Sequence, residues 1–434
     1  MAQTQPRKSM KGYYLTTFLI GLGFFTMGLM DPLYDTYIPI FLGRYISSNA
    51  LIGAIMTLDN VFAIFLIPVF SAISDRTRTP IGRRMPFIIT MLPLSAFAFG
   101  LIPFSALSSL VLLIILIFAL NLFKQSVRGP VVALMPDIIP GEIRSEANGV
   151  INTMGGIATI VGTIGLAQLM NVKVQVPGYG MTDNILAFPL AGVLVLVAVL
   201  LLFFFVKEKK GSYREDSAEE KVPIITSLKH IFGEKDKSAF FVLISLLFWF
   251  IGYQGVLPFV GKYSVEILGT SSGSAALAAG MVGIAYAIFA IPSGIIAHKH
   301  GRKITIRTAL LCIIVVLVLI FVHSVIFTSD AVSQTVRMIP FWALMFAFGM
   351  FWVTVITNSF PMLWQMATYE NMGIYTGLYY FFSQLASIIA PPITGGLIDL
   401  FGYGALFLFA AACMAVAFVF MGKVTRGEPH DDAK

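Results

Sequence analysis

Long apolar runs alternate with short polar segments along the whole chain. Each run is long enough to cross a bilayer as a helix, which takes about 20 mainly apolar residues. The breaks between runs predict twelve transmembrane helices, at residues 14–42, 50–73, 86–106, 109–134, 147–170, 185–206, 239–261, 273–297, 305–327, 338–360, 373–397 and 402–422. The predicted fold class is therefore an all-α membrane protein.

The composition and the placement of charge support this fold class. Hydrophobic residues make up 57% of the chain and charged residues only 12%, against about 25% charged residues in soluble domains, which excludes a soluble globular enzyme. Most lysines and arginines lie in the N-terminal segment and in every second loop after it, as on the cytoplasmic side of membrane proteins. We expect both termini to be cytoplasmic, and we interpret the net charge of +7 as a topology signal with no nucleic-acid partner.

One long polar stretch, Lys207–Lys237, separates the first six predicted helices from the last six. The predicted domains are a bundle at 1–206, a cytoplasmic linker at 207–237 and a second bundle with a short tail at 238–434. Apolar residues recur at helical spacing within the linker, at Ile224, Ile225, Leu228, Ile231 and Phe232. This spacing suits a short helix on the membrane surface, and a partly ordered linker is the alternative.

The two halves share a loop motif at the same position. Gly82-Arg83-Arg84 follows the second predicted helix, and Gly301-Arg302-Lys303 follows the eighth. Asp75 and Arg76 precede the first copy. Internal repeats of this kind mark secondary transporters, whose binding site lies near the bilayer midplane between the repeats. The two loops are predicted to control opening and closing, with setting the topology as the alternative role of their arginines.

The character of the helices repeats with a period of three. Helices three, six, nine and twelve are almost purely apolar and suit a lipid-facing position. Helices five and eight are rich in Gly and Ala, which let backbones approach closely, so we expect them to contact the opposite half. Helices one, four, seven and ten carry most of the intramembrane polar groups. A central cavity lined by these four helices is predicted.

This period of three in helix character resembles the major facilitator superfamily, in which the first helix of each triplet lines the cavity. The loop SDRTRTPIGRRMPFI (residues 74–88) and the stretch RGPVVALMPDIIPGEIRSEAN (128–148) are similar to those of the glycoside-pentoside-hexuronide:cation symporters and the related sucrose transporter-like proteins. The resemblance implies that Asp75 meets a helix N-terminus of the other half, while Arg83 and Arg84 tie the inner helix ends together.

One departure from that family concerns the coupling cation. Its melibiose-type members carry two carboxylates before a proline in helix two, whereas the positions before Pro68 that match them are Ala63 and Ile67. The resemblance therefore implies proton coupling, as in the sucrose transporter-like branch, rather than sodium coupling.

Five charged residues are predicted to lie within the membrane, namely Asp31, Asp35, Asp59, Lys124 and Arg128. A charge near the bilayer centre costs at least about 2.5 kcal/mol, so each requires a partner or a role. Asp31, Asp35, Asp59 and Lys124 are the predicted cation-coupling residues. Lys124 also falls, with Asn121, Gln125 and Arg128, on one helical stripe that is predicted to bind solute. The alternative for these residues is a buried ion pair that only fixes helix packing. For Arg128 a second alternative is that its side chain extends to the membrane interface.

The second half offers aromatic rings and neutral polar groups, and no deep titratable residue. The predicted solute-binding residues there are Tyr253, Gln254, Asn358, Tyr379 and Gln384. Sugars require stacking faces as well as hydrogen-bond partners, and both are present. Each ring taken singly could equally serve packing.

The predicted function is proton-coupled symport of a sugar or glycoside by alternating access. The alternatives are a carrier or exporter of an amphiphile, such as a lysolipid or drug, and a membrane sensor that binds without transport. We find no nucleophile elbow, metal-ligand spacing or phosphate-binding loop, so no enzyme activity, cofactor or metal is expected. A monomer in the lipid bilayer of a bacterial cytoplasmic membrane is the expected setting.

Overall fold

A computed structural model describes residues 10–140, 143–208, 233, 236–327, 333–367 and 372–428. Twelve helices in these ranges are long and apolar enough to cross a membrane, which confirms the predicted all-α membrane fold. The predicted surface helix within the linker lies outside the described residues.

The helix bounds extend most of the predicted spans by a few residues. The helices of the first half are α1 Tyr14–Gly43, α2 Asn49–Arg76, α3 Met85–Ser108, α4 Leu110–Ile138, α5 Arg144–Ile160 and α6 Ala187–Phe205. Those of the second half are α7 Ser238–Glu266, α8 Ser272–His300, α9 Arg302–Ile326, α10 Gln334–Trp364, α11 Met372–Phe401 and α12 Gly404–Gly422.

Two irregularities interrupt these helices in the first half. Helix α2 consists of two segments, Asn49–Met56 and Leu58–Arg76, which meet at a turn at Thr57. Helix α5 continues into a π-helical turn, Val161–Gly165, and then into a 3₁₀-helix, Leu166–Asn171. Such π turns recur at functional positions, because they change the direction in which side chains point.

A β-hairpin between α5 and α6 was not predicted from the sequence. Strands β1 (Val174–Val176) and β2 (Gly180–Thr182) pair antiparallel, with Gln175 opposite Met181. Gly178 has φ +83°, a conformation that glycine adopts without strain and that closes the turn. Strands of three residues carry too little alternation to be recognised from a pattern.

The chain divides into two compact units, Met1–Tyr34 with Leu58–Ser217 and Asp35–Thr57 with Ala218–Lys434. The end of α1 and the first segment of α2 thus group with the second unit. Small residues allow close helix contacts in each unit. In the first, a methyl group at Gly28 of α1 would lie 2.5 Å from the carbonyl oxygen of Gly155 in α5, and in the second, one at Gly349 of α10 would lie 2.7 Å from Val282 in α8. Helices α5 and α8 therefore use small residues to pack inside their own units.

The apolar helices pair with one another inside each unit. Phe99 of α3 stacks on Phe188 of α6 with a centroid distance of 4.5 Å, and α9 packs along α12. Their remaining faces are exposed and apolar, for example at Leu311 and Val315 of α9. This arrangement suits the predicted lipid-facing position.

Candidate functional site

The first unit contains a polar cluster built by α1 and α4. The Lys124 ammonium donates a hydrogen bond to Asp31 Oδ1 at 2.9 Å and lies 5.1 Å from the centre of the Tyr34 ring. Asn121 Nδ2 donates to the Tyr34 hydroxyl at 2.9 Å and to the carbonyl oxygen of Ile117 at 3.0 Å. We call Asp31, Tyr34, Asn121, Lys124 and Gln125 the polar cluster.

Two amide groups of the polar cluster present buried oxygens without a partner. Asn121 and Gln125 are almost fully buried, and among the described residues no donor contacts Asn121 Oδ1 or Gln125 Oε1. The orientation of the Asn121 amide is set by its two donated bonds, so its oxygen is the free end. Buried polar atoms are nearly always satisfied by protein, water or ligand. These two oxygens therefore mark a place where hydrogen-bond donors from outside the protein fit.

Asp59 lies at the start of the second segment of α2, two residues after the turn at Thr57. Its Oδ1 accepts hydrogen bonds from the backbone nitrogen and the Nδ2 of Asn60, at 2.7 and 2.8 Å. The charges of Lys124, Asp31 and Arg128 act on this carboxyl, but within the described ranges no basic side chain lies at ion-pair distance from it. Asp59 is thus an intramembrane acid that lies near the Asp31–Lys124 ion pair without belonging to it.

The remaining predicted charges of the first half lie apart from the polar cluster. Arg128 is exposed, and in the described part of the chain it has no hydrogen-bond or ion-pair partner. Asp35 is half-buried and belongs to the second unit, where its charge acts on the Tyr253 hydroxyl. The sequence predicts that Asp31 and Asp35 share one helix face, but in the structure Asp31 belongs to the first unit and Asp35 to the second.

The second unit contains an aromatic stack formed by Tyr253, Phe348 and Trp352. The Tyr253 ring lies nearly parallel to Trp352 and Phe348, at centroid distances of 4.1 and 6.1 Å. Phe250 meets the Trp352 ring edge-on at 5.6 Å. Parallel ring packing of this kind holds the side chains rigidly. The stack brings α7 and α10 together at the position of the predicted solute-binding Tyr253.

The other predicted solute-binding residues surround this stack with neutral hydrogen-bonding groups. Gln254 Nε2 donates to Ser387 Oγ at 2.6 Å, and the Tyr379 hydroxyl lies 3.1 Å from Ser359 Oγ. Gln384 is half-buried in α11 and has no polar partner among the residues described.

Asn358 lies at a separate cavity of about 320 Å³ near the end of α8. Its lining residues are Gly294, His298, Arg302, Thr357, Asn358 and Pro361. Asn358 Nδ2 donates to the carbonyl oxygen of Thr354 at 2.8 Å. The structure thus brings a predicted binding residue and a predicted loop residue, Arg302, to one cavity.

The loop after α2 forms a buried ion network inside the first unit. Asp137 accepts from Arg83 Nη2 at 2.5 Å and from Arg84 Nε at 2.9 Å. Arg84 also pairs with Asp75, so the Asp75 carboxylate, predicted to meet a helix N-terminus of the other half, is bound by its own loop here. Burial lowers the pKa of Arg83, but the hydrogen bond and charge of Asp137 outweigh this and raise the pKa overall. Arg76 is exposed at the end of α2.

A glutamate that sequence reasoning missed completes this network. Glu208 Oε2 accepts from the backbone nitrogens of Arg84 and Met85 at 2.9 and 3.3 Å, at the start of α3. Gly82 has φ +115°, and any side chain there would overlap Glu208. Carboxylates at helix N-termini satisfy free amides and favour the helix dipole.

The second loop repeats the same construction with Glu428. Its carboxylate accepts from the backbone nitrogens of Arg302 and Lys303 at 2.6 and 3.1 Å, at the start of α9. Gly301 has φ +92° and a Glu428 oxygen 3.0 Å from where its side chain would begin. An acid shortly after the last helix of each half was the available sequence signal.

The second unit also holds a carboxylate cap on α2, formed by Asp399 of α11. Asp399 Oδ1 accepts from Asn49 N and Nδ2 at 2.7 and 2.9 Å, and Oδ2 accepts from Ser48 Oγ and Ala50 N at 2.8 and 3.0 Å. Lys262 Nζ donates to Asn49 Oδ1 at 2.7 Å. We call these contacts the Asp399 cap; they attach the start of α2 to α7 and α11.

Comparisons with known proteins place this geometry in one superfamily. The family model described as Major Facilitator Superfamily matches residues 14–391 and 268–434. No curated protein matches the sequence.

Solved transporters share the fold at low sequence identity. A mutant of the nucleoside transporter NupG has a TM-score of 0.70 at 12% identity, covering 94% of this chain and 100% of its own. A bacterial homologue of the human lysosomal transporter Spinster has 0.68 at 12%, covering 96% and 95%. A D-xylose-proton symporter has 0.66 at 14%, covering 97% and 99%. The match of the family model across the chain shows that this protein belongs to the major facilitator superfamily and is a transporter, not an enzyme.

Proposed function

We propose that the protein is a proton-coupled symporter of a sugar or glycoside, working by alternating access as a monomer in a bacterial cytoplasmic membrane. The observation that carries the proposal is the polar cluster, where the Asp31–Lys124 pair lies beside two buried oxygens that no donor of the described residues contacts. The loop at residues 74–88 supports a place near the glycoside-pentoside-hexuronide:cation symporters and the sucrose transporter-like proteins.

Proton coupling is assigned to Asp59. An ionised acid inside a membrane is costly unless it is paired, and Lys124 is engaged with Asp31 rather than with Asp59. Asp59 is therefore the acid to which we assign the binding and release of the proton. The groups that contact its Oδ1 are nitrogen donors of Asn60, whereas hard metal cations require oxygen ligands. This favours H⁺ over Na⁺.

The solute is assigned from the two kinds of surface in the binding residues. Asn121 and Gln125 offer acceptors to hydroxyl donors, while the rings around Tyr253 offer apolar faces. Hydroxyl donors and apolar C–H faces are both chemical features of a sugar ring, so each of these surfaces, taken by itself within its own unit, suits a sugar. The named solutes of two structural neighbours, a nucleoside and D-xylose, are ring-shaped and polyhydroxylated.

Transport by the purified, reconstituted protein tests the assignment of Asp59. Asp59→Asn is expected to abolish uptake against a gradient and to preserve exchange of labelled for unlabelled solute, because the neutral amide mimics the protonated acid. Asp183→Asn, in the exposed loop before α6, is the matched control and should transport normally. Concentrative uptake by Asp59→Asn would overturn the proton assignment.

A ligand panel tests the solute class. Thermal unfolding is measured with sugars and glycosides, each against a stereoisomer, and with lysolipids and hydrophobic cations. A saturating ligand at about 100 times its dissociation constant stabilises the protein by about 2.7 kcal/mol. A stereoselective shift with sugars supports the proposal. A shift only with lysolipids or hydrophobic cations would replace sugar by an amphiphile, and binding without flux in vesicles would indicate a sensor.

A further inference from the structure

Arg307 of α9 is a basic residue that the transport mechanism does not use. It lies five residues after the start of the helix, so about 7.5 Å along its axis. Its guanidinium carbon lies 4.4 Å from the centre of the Phe418 ring in α12. The same group packs over Gly422, with Nη2 3.5 Å from the position a side chain would take there. Helix α12 therefore holds the guanidinium in place instead of letting it swing outward.

Among the described residues, no group accepts a hydrogen bond from this guanidinium. Its Nε is buried without an acceptor, and no carboxylate in the described part of the chain pairs with Arg307. By contrast, Lys124 and Lys262 in other spans contact carboxylates. Helices α9 and α12 contain no acidic residue. A positive charge held on a helix surface without an anion is costly in a membrane, so a binding partner other than the described residues is indicated.

The surroundings of Arg307 are apolar and exposed on both helices. Ile304 and Leu311, three residues before and four after it, expose 62% and 50% of their surface, and Val419 of α12 exposes 58%. Lys423, directly after Gly422, is exposed and lies over the rings of Phe420 and of Phe241 in α7, away from Arg307. The groove between α9 and α12 thus offers hydrocarbon surface beside a fixed guanidinium.

We propose that this groove binds an anionic phospholipid, whose phosphate accepts hydrogen bonds from Arg307 while its acyl chains lie on the exposed face of α9 and α12. The planar guanidinium fork matches phosphate oxygens and forms strong charge-assisted bonds with them. The positive charge of Arg307 favours a headgroup with net negative charge. This site is separate from solute transport, and it does not depend on the solute or coupling ion.

The experiment uses the full chain in nanodiscs of phosphatidylcholine, titrated with phosphatidylglycerol. The lipid retained by the protein is measured by native mass spectrometry, and the unfolding midpoint is followed in parallel. Wild type should retain phosphatidylglycerol and unfold at a higher temperature as it is added. Arg307→Gln should weaken this binding by about 10-fold or more, as expected for a lost charged hydrogen bond. Arg307→Lys should bind phosphatidylglycerol more weakly than wild type and more strongly than Arg307→Gln, since lysine keeps the charge and lacks the planar guanidinium fork.

Lys299→Gln is the matched control, because it removes one exposed positive charge at the end of α8. It should bind phosphatidylglycerol like the wild type. Equal binding by Arg307→Gln and wild type would overturn the proposal, as would equal retention of phosphatidylcholine and phosphatidylglycerol. If inorganic phosphate in phosphatidylcholine nanodiscs raised the midpoint as much as phosphatidylglycerol, the site would be one for a free anion. Should Arg307→Gln fail to fold, wild type and Arg307→Lys decide between these outcomes.

Discussion

The Asp399 cap leads to the sharpest prediction about the second unit. Residues 35–57 belong to α1 and α2, and in the second unit this cap attaches them to α7 and α11. If alternating access requires that they separate from these helices, the strength of the cap sets how often the attached state forms. Asp399→Asn is the perturbation, because it removes the charge and keeps the shape.

The magnitude follows from the four hydrogen bonds that Asp399 accepts. An asparagine keeps one acceptor oxygen and places an NH₂ group against two donors, so two bonds are lost. A hydrogen bond to a charged group contributes about 1.5 to 3 kcal/mol when shielded, and about 1 kcal/mol is appropriate for an exposed carboxylate. The attached state should lose about 2 kcal/mol, or up to roughly 30-fold in population. Ser48→Ala removes one of the four bonds and should cost about half as much.

A disulfide reports the population of the attached state. A side chain at Gly396 would begin 3.9 Å from the Cβ of Ala50, inside the range of about 3.5 to 4.5 Å for Cβ atoms in a disulfide. Ala50→Cys with Gly396→Cys, with Cys312 and Cys413 replaced by Ala, should crosslink readily and stop transport until reductant is added.

Adding Asp399→Asn should slow crosslinking by up to about 30-fold, and Asp399→Glu, which keeps the charge, should slow it less. An unchanged crosslinking rate in Asp399→Asn would refute the calculated strength of the cap. Normal transport by the fully crosslinked protein would refute the need for separation.

Two further predictions concern the first unit. Lys124→Met should lower the free energy of unfolding by about 1 to 2 kcal/mol, a value discounted for the exposure of Asp31. Adding Asp31→Asn should recover part of this loss. No recovery would mean that the pair does not stabilise the fold. Gly82→Ala should lower the unfolding midpoint, because φ +115° is strained for alanine and its methyl group would displace Glu208. Gly149→Ala, in open space on α5, is the control, and an equal effect of both substitutions would argue against the Glu208 cap.

Part of the candidate site was predictable from local spacing alone. Asn121, Lys124 and Gln125 lie on one face of α4 because a helix repeats every 3.6 residues, and all three are buried in the structure. Their assignment to solute and cation binding stays a prediction. The choice of Asp31 rather than Asp59 as the partner of Lys124 was not predictable, since it depends on how α1, α2 and α4 pack.

Twelve membrane-spanning helices in a repeated arrangement follow from the amino-acid sequence alone. Hydropathy over a window of about 20 residues measures the free energy of transferring that segment into the bilayer, which depends on local sequence only. Within the bilayer, every span must pair its backbone N–H and C=O groups internally, which a helix does. Other contacts depend on how the helices pack: Glu208 and Glu428 cap α3 and α9, Asp399 caps α2, and Arg307 packs against α12. These contacts join residues far apart in the chain, and a hydrogen bond depends on distances of a few tenths of an ångström that no sequence pattern contains.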